Sequence, residues 1–394
     1  MMNILASTRT PYFSHLFDRI RKEMPAESTM VFYSHEQGAW DDGASNPDVE
    51  VTLSHVQADW DPTWTRKWQD WRTGKQLIVR FREHRPVAVI LFGYQDPCRW
   101  RVMMWCRRNG VPVLAWSDVN AAGMNRRAGW RGWLKRQYIR WIDRQVSAWL
   151  VCGSRGVDYL SYFGVSRERM FYSPCEPDYG AIESITPAKV SEVARSFGLA
   201  EGRRRVVCSG RFVRTKRFDL VIRAFECVAR DRPDWDLVIL GDGELSDAWK
   251  ALVPGELSSR VTWTGFVRDP EVVWALYKSC DVLVHVADHE PWGLIVNECA
   301  CAGLAIVCTD VVGAGAELVR DGVNGRVVPH GNFEAVVDAL MDVTDEGALR
   351  SYQSQSREVL ADWRRVADPV EGLKQAMAFA GVTMDDATGL ASKA

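Results

Sequence analysis

Short β-rich runs alternate with segments of helical period along most of this chain. That alternation restricts the fold to α/β architecture with parallel sheets. In the first half the candidate strands are Asn3–Ser7, Met30–Tyr33, Val49–Leu53, Val87–Gly93, Val111–Trp116 and Ala148–Gly153. Ser154 is the expected N-cap of a helix running to Phe163. The run from Tyr172 to Gly180, with two prolines and a glycine, breaks the pattern and reads as a linker. Alternation resumes with strands Arg205–Ser209, Asp236–Gly241, Arg260–Gly265, Asp281–Val286, Ala305–Thr309 and Gly325–Val328. Helices are expected near Phe218–Arg230, Leu245–Leu252, Pro270–Ser279, Gly293–Ala302, Ala314–Arg320 and Phe333–Asp342, and only helices follow residue 347. The tail from Met384 on is expected to fray.

Two doubly wound domains divided near residue 175 suit a length of 394 residues. A net charge of −2 makes no case for a nucleic-acid partner. The ten cysteines contain no Cys-x-x-Cys, and Cys152, Cys208 and Cys308 lie in apolar strands. They read as buried thiols in a reducing compartment rather than metal or redox groups. Residues Met1 to Arg9 lack the apolar core of a signal peptide, and no window is long and apolar enough to span a bilayer. The expected location is the cytoplasm, free or peripheral on the inner face of the membrane.

The stretch Glu290-Pro291-Trp292-Gly293-Leu294-Ile295-Val296-Asn297-Glu298 places two carboxylates eight positions apart, between an apolar strand and an apolar helix. A carboxylate in a strand-to-helix loop lies at the carboxyl end of the sheet, where open α/β sheets bind ligands. The backbone N–H groups that open the next helix suit a phosphate. One acidic side chain can meet sugar hydroxyls while the other grips a ribose, a layout for a nucleotide-sugar.

Ser209-Gly210-Arg211-Phe212-Val213-Arg214-Thr215-Lys216-Arg217 also leaves a strand and opens a helix. Arg211 can fork two phosphate oxygens, and Lys216 adds a point charge. Taken alone it reads as a solvated basic loop. Its place beside the Glu290 loop, at carboxyl strand ends of one sheet, makes it a phosphate-binding candidate. Gly241-Asp242-Gly243-Glu244 reads as a tight turn, because Ser246 stands where a dinucleotide fingerprint needs its third glycine. Gly265-Phe266-Val267 is a further strand exit that offers backbone groups and a ring to a nucleobase.

In this order, Gly210-Arg211 with Lys216, Gly241-Asp242-Gly243, Gly265-Phe266, the Glu290-to-Glu298 run, Ala300-to-Val307 and Gly322-Val323-Asn324-Gly325 resemble the donor domain of glycosyltransferase family 4 over residues 205–345. The family's enzymes are retaining and have the GT-B fold, two Rossmann-like doubly wound domains facing across a cleft. The resemblance implies an acceptor-binding domain over 1–175, with a helix of about 363–380 crossing back to it, and a donor-binding domain over 176–362. It implies that Arg211 and Lys216 bind the diphosphate, that Glu298 binds the ribose and that Glu290 sits at the donor sugar. The amides of Gly293 and Leu294 then lie on the phosphate, with Gly241, Phe266 and Val267 in the surrounding donor loops. Trp292 stands where the family usually has Phe, a change expected to reshape the sugar pocket.

The first half matches more loosely. Thr10-Pro11-Tyr12-Phe13 resembles a Pro-Tyr loop of some members, and Gly93-Tyr94 and Ser117-Asp118 are similar to acceptor-side text. Tyr12, Tyr94 and Asp118 are therefore the acceptor-side candidates. Asp118 stands where many members carry a His, and His55 and His84 are alternatives to it. Front-face displacement with retention, the mechanism the resemblance implies, needs positioning and stabilisation of leaving-group charge rather than a protein nucleophile. Arg211, Lys216 and the helix N-terminus supply this without a metal or cofactor. Glu290 and Glu298 are not a glycosidase pair, since a ribose-binding Glu298 leaves one carboxylate at the anomeric centre. The implied partners are a UDP-, GDP- or ADP-linked sugar and a saccharide or lipid-linked acceptor. A nucleotide-sugar epimerase and a catalytically silent partner subunit are the alternatives.

Residues 126–149 carry Trp130, Trp133, Leu134, Tyr138, Trp141, Ile142 and Val146 at helical spacing, with Arg127, Arg131, Lys135 and Arg136 on the other side. The aromatic stripe reads as packing on its own sheet, and the basic face suits an anionic membrane surface. Trp64, Trp68 and Trp71 share a helical face and read as core, with an acceptor platform as the alternative.

Overall fold

The computed structural model describes residues 2–6, 10–24, 29–33, 50–52, 64–122 and 129–382. It forms two compact units, one of Met1–Val119, Asn125–Cys175 and Ala367–Ala394 and the other of Asn120–Met124 and Glu176–Val366.

The first unit runs β1 (Met2–Ala6), α1 (Pro11–Glu23), β2 (Thr29–Tyr33), β3 (Glu50–Thr52), α2 (Trp64–Glu83), β4 (Ala88–Phe92), α3 (Pro97–Arg108), β5 (Val113–Ser117), α4 (Trp130–Asp143), β6 (Ala148–Val151), α5 (Ser154–Tyr162) and β7 (Met170–Tyr172). Its seven strands are parallel, in the order β3-β2-β1-β4-β5-β6-β7. β1, β4 and β5 are buried at every position, the continuous apolar text of a sheet covered on both faces.

The second unit runs α6 (Tyr179–Ser184), α7 (Pro187–Ser196), β8 (Arg204–Ser209), α8 (Phe218–Asp231), β9 (Trp235–Leu240), α9 (Ser246–Lys250), β10 (Val261–Gly265), α10 (Pro270–Lys278), β11 (Val282–His285), α11 (Leu294–Ala302), β12 (Ala305–Thr309), α12 (Gly315–Leu318), β13 (Gly325–Val328), α13 (Phe333–Val343) and α14 (Glu346–Val366). Its parallel sheet has the order β10-β9-β8-β11-β12-β13. The chain moves outward from β8 to β10, then returns to the far side of β8 as β11. The β8/β11 boundary is therefore a topological switch point, the place in an open α/β sheet where ligands bind outside the carboxyl ends of the strands.

Helix starts follow local chemistry. Asp96, Thr186, Asp269 and Asp368 each cap an N-terminus through a side-chain oxygen, and each precedes a proline in the first turn. Ser154 is not a cap, because Gly153 takes that position and Ser154 opens the helix. Met170–Tyr172 pairs with β6 as an edge strand, so the segment read as a linker begins within the sheet. Residues 173–177 are then buried, and Ser173 is pinned by N–H to Val151 O (2.8 Å) and Oγ to Pro369 O (3.1 Å). The single helix expected from Trp363 is two: Trp363 lies in the last turn of α14, which ends at Val366, and a new helix, α15 (Pro369–Phe379), starts after the Asp368 cap and belongs to the first unit. There a Cβ on Gly372 would stand 1.7 Å from Tyr172 O, so only glycine lets α15 lie this close to β7.

Two stretches expected to be packed are not. Trp68 is 59 % and Trp71 39 % exposed on α2. On α4, Ile139 and Ile142 are buried as expected, but Trp130 is 68 %, Trp133 59 % and Leu134 47 % exposed. The same stripe faces the protein in the second half of α4 and solvent in the first. Arg126 and Arg127 lie outside the described residues, as does His55. His84 is exposed just past α2, on the amino-end edge of the sheet, away from the loops that follow the strands. All ten cysteines are free and nine of them are buried.

Candidate active site

The loops that leave β8, β9 and β10 are interlocked by glycine. Gly210 N–H donates to Leu240 O (3.0 Å), Phe212 N–H to Asp242 O (2.8 Å) and Gly241 N–H to Gly265 O (3.0 Å). A Cβ on Gly241 would lie 2.0 Å from Gly210 O, and one on Gly243 would lie 2.8 Å from Phe212 N and O. These glycines are thus required for backbone approach, beyond the tight turn that their spacing suggests. The approach holds Arg211 at the surface. Among the described residues Arg211 makes no ion pair, so its guanidinium is available for an anion.

Across the switch point, Lys216 Nζ pairs with Glu290 Oε2, and His285 Nε2 lies 2.9 Å from the same oxygen. His285 ends β11 and is buried. Burial alone would raise the Glu290 carboxyl. The hydrogen bond and charge of His285, followed by the Lys216 ammonium, outweigh it and hold the group at about 2. The carboxylate therefore remains ionised across the physiological range.

Arg217 locks the two loops together. It is the non-glycine residue with positive φ among the described residues (51°), and its guanidinium pairs with Asp219 (3.0 Å) and Asp288 (3.1 Å). Asp288 N–H in turn donates to Thr215 O (2.8 Å). The strain of a left-handed arginine, on the order of 1 kcal/mol, is offset by two charge-assisted contacts.

Gly293, at φ 92°, is the N-cap of α11, and no side chain caps that helix end. A Cβ on Gly293 would crowd Glu290 Cγ at 3.0 Å and Val312 Cγ1 at 3.1 Å. The first turn of α11, beginning with Leu294, thus presents amide N–H groups beside Glu290 and the positive end of the helix dipole. Asn120, which belongs to the second unit, donates from Nδ2 to Glu290 O (3.0 Å) and to Val311 O (2.8 Å). Trp292 is buried, with its ring 6.4 Å from that of Trp363.

Glu298 lies in the second turn of α11 and accepts a hydrogen bond from Trp274 Nε1 (2.8 Å) on α10. Burial pushes its carboxyl up to about 7 against the pull of that bond. Tyr277, also on α10, donates to Ser209 Oγ (3.0 Å) at the end of β8 and is itself raised, by burial and then by Glu298. The two carboxylates therefore occupy opposite electrostatic settings, one ionised by cations and one poised to titrate near neutrality. Phe266 is exposed and Val267 partly buried just beyond β10.

In the first unit, Asp118 is exposed past β5 and its charge bears on both Tyr12 and Tyr94. Tyr12, at the start of α1, is raised by burial and shares a hydrogen bond with the Thr10 side chain. Tyr94 is 2 % exposed and stacks edge-on against Trp149 at 5.3 Å, so its ring is core rather than open surface. Among the described residues no cluster of His, Cys, Asp and Glu is arranged to hold a metal ion, and no helix is long and apolar enough to cross a membrane.

His285, Asn120, Arg217 and Trp274 were not singled out from sequence. His285 has a signal, as the one polar residue ending an apolar strand five positions before Glu290. Asn120 lies 170 residues from its partner, and nothing local marks it.

Residues 190–358 match the family model described as glycosyl transferases group 1. The D-inositol 3-phosphate glycosyltransferase of Pseudarthrobacter chlorophenolicus is 26% identical over 222 residues, 54% of this chain and 52% of that one. The lipopolysaccharide core biosynthesis mannosyltransferase LpsB of Rhizobium meliloti is 28% identical over 276 residues, 64% of this chain and 70% of that one. Several other curated relatives are matched over half their length or less. Among solved structures, Anabaena HepE in complex with UDP-glucose superposes with a TM-score of 0.71 at 15% identity, covering 97% of this chain and 99% of that one. The chain thus has the GT-B fold, two Rossmann-like units, and its residues 190–358 are similar to the glycosyl transferases group 1.

Proposed function

We propose that the chain is a retaining glycosyltransferase of family 4. It moves a sugar from a UDP-, GDP- or ADP-linked donor to a saccharide or lipid-linked acceptor in surface polysaccharide or glycolipid synthesis. The observation that carries this reading is the convergence at one switch point of a free guanidinium (Arg211), a lysine (Lys216), an uncapped helix N-terminus (Gly293, Leu294) and two carboxylates of unlike character (Glu290, Glu298). Relatives named for lipopolysaccharide core synthesis in Rhizobium meliloti and for GDP-mannose-dependent mannosyl transfer in Mycobacterium tuberculosis support it.

In this reading Arg211, Lys216 and the α11 amides hold the diphosphate, and Glu298 accepts hydrogen bonds from the ribose. Glu290, kept ionised by His285 and Lys216, meets the donor sugar. Gly241, Phe266 and Val267 border the nucleoside. The bond from the anomeric carbon to the phosphate oxygen breaks as the acceptor oxygen bonds the same face. The acceptor's proton passes to the departing phosphate oxygen. Cations and amides already in place stabilise that developing charge, the largest single contribution expected in such a site. The reaction needs no metal ion. On the acceptor side, Asp118 and Tyr12 are the residues assigned.

The test is thermal-shift binding of UDP-, GDP- and ADP-sugars in the presence of a chelator. One responsive nucleotide is expected, since a ligand that binds only the native state raises its melting temperature. Glu298→Ala should abolish the response. Normal nucleotide affinity in that variant, or a strict need for a divalent ion, would overturn the assignment.

A further inference from the structure

The exposed tryptophans of the first unit are not scattered. Of the twelve exposed large apolar side chains among the described residues, Trp68, Trp71, Val79, Trp130, Trp133, Leu134 and Tyr162 lie on α2, α4 and α5. Charge is concentrated in the same stretch. From Trp64 to Arg144 the sequence has 18 Lys and Arg against five Asp and Glu, a positive excess of 13 in a chain of net charge −2.

Topology places these groups together. The connections β3-α2-β4, β4-α3-β5 and β5-α4-β6 all step in one direction across the sheet, so right-handed crossovers put α2, α3 and α4 on one side. Each helix follows a strand, so its N-terminal turns stand at the carboxyl-end edge. Trp68 and Trp71 fall in the first turns of α2, and Trp130, Trp133 and Leu134 in the first turns of α4. On α3, Arg101 lays its guanidinium over the Trp71 ring of α2 at 4.6 Å, and Trp100 stacks edge-on against Trp141, in the last turn of α4, at 6.1 Å. Arg131 covers Trp130 at 5.3 Å, and Arg136 covers Tyr162 at 5.2 Å. Arg72 lies over Trp68 at 4.7 Å. The acidic residues of the two helices are placed elsewhere: Asp70 is buried, while Glu83 and Asp143 sit at the far ends.

We infer that the N-terminal turns of α2 and α4, which stand on either side of α3 at one edge of the sheet, form one docking surface for an anionic lipid bilayer. Interleaved Trp and Arg/Lys suit the interface, where rings enter the headgroup layer and cations meet lipid phosphates. Leu134 gains nothing from a soluble polyanion but is buried favourably in lipid. The surface borders the edge that carries Tyr12 and Asp118, so a lipid-linked acceptor would emerge beside the acceptor-side residues. Only this last point rests on the glycosyltransferase reading.

The test is sedimentation with phosphatidylcholine vesicles, with and without phosphatidylglycerol, across a salt series. Wild-type protein should bind the anionic vesicles alone and dissociate as salt rises. Combined Arg131→Gln, Lys135→Gln and Arg136→Gln changes should lower partitioning about a hundredfold. Trp130→Ala with Trp133→Ala, and separately Trp68→Ala with Trp71→Ala, should each lower it about tenfold or more. Heparin binding should be unmoved by these Trp changes, and Arg350→Gln on α14 should bind vesicles as wild type. Equal binding to neutral and anionic vesicles, or Trp variants that bind as wild type, would overturn the surface. Melting temperatures without ligand should stay within a few degrees of wild type in every variant, which shows folding without reference to the donor site.

Discussion

His285 Nε2 stands 2.9 Å from Glu290 Oε2 across the turn between β11 and α11, and the Lys216 ammonium closes the other side of the same oxygen. A carboxyl held near 2, against 4.5 when unfolded, stabilises the fold above about pH 4.5 and loses that contribution as pH falls toward 2. His285→Ala removes the larger support and leaves burial to push the group up. Urea unfolding as a function of pH should show a loss of roughly 2–3 kcal/mol at neutral pH and an acid midpoint shifted upward. An unchanged acid limb would mean that His285 does not set the state of Glu290.

Glu298 has the opposite sign. Its folded carboxyl keeps a proton to about 7, whereas the unfolded one ionises near 4.5, so stability declines as pH rises between those values. Glu298→Gln should flatten that slope, a relative gain of about 1–2 kcal/mol above pH 7 once partial solvent access is allowed for. If the ionised form grips a ribose, nucleotide affinity should rise with pH through about 7 in wild type. Trp274→Phe, which removes the donor on Oε1, should move that midpoint higher.

Gly241 permits the contact between two donor loops. Gly241→Ala would place a methyl group 2.0 Å from Gly210 O at a φ of 127°. The expected cost is about 3 kcal/mol or more, with weakened nucleotide binding because the Arg211 loop is displaced. Gly255→Ala, which meets nothing within 4 Å, is the control and should stay within about 0.5 kcal/mol. Equal melting temperatures for the two variants would refute the close approach.

Asn120 satisfies two buried carbonyls, at 3.0 and 2.8 Å. Asn120→Ala leaves both without that donor, at a cost of about 2–3 kcal/mol. The same change should loosen the β11–α11 turn, which hydrogen exchange at Gly313 N–H, bonded to Glu290 O at 3.2 Å, would report.

The acceptor half was the harder to read. Its central strands are legible as apolar runs, but Tyr94 and Asp118 follow them equally well in sequence, and only burial separates a core ring from an exposed carboxylate. The tryptophans of α2 and α4 obey a helical period that marks an amphipathic face. Period alone cannot show that the first turns overhang the sheet, so Trp68, Trp130 and Trp133 read as core when they are surface.

By itself the sequence determined the parallel α/β architecture, the division near residue 175 and the loops that carry Arg211, Lys216, Glu290 and Glu298. Each of these is written in local periodicity, turn residues and strand-to-helix order, which act over a few positions. Tertiary structure alone decided that His285 and Lys216 hold Glu290 ionised, that burial raises Glu298 and that Asn120 supports the turn between them. Ionisation depends on charges and solvent within a few ångströms in space. Those neighbours come from loops up to 170 residues apart, and no spacing rule in the chain records their meeting.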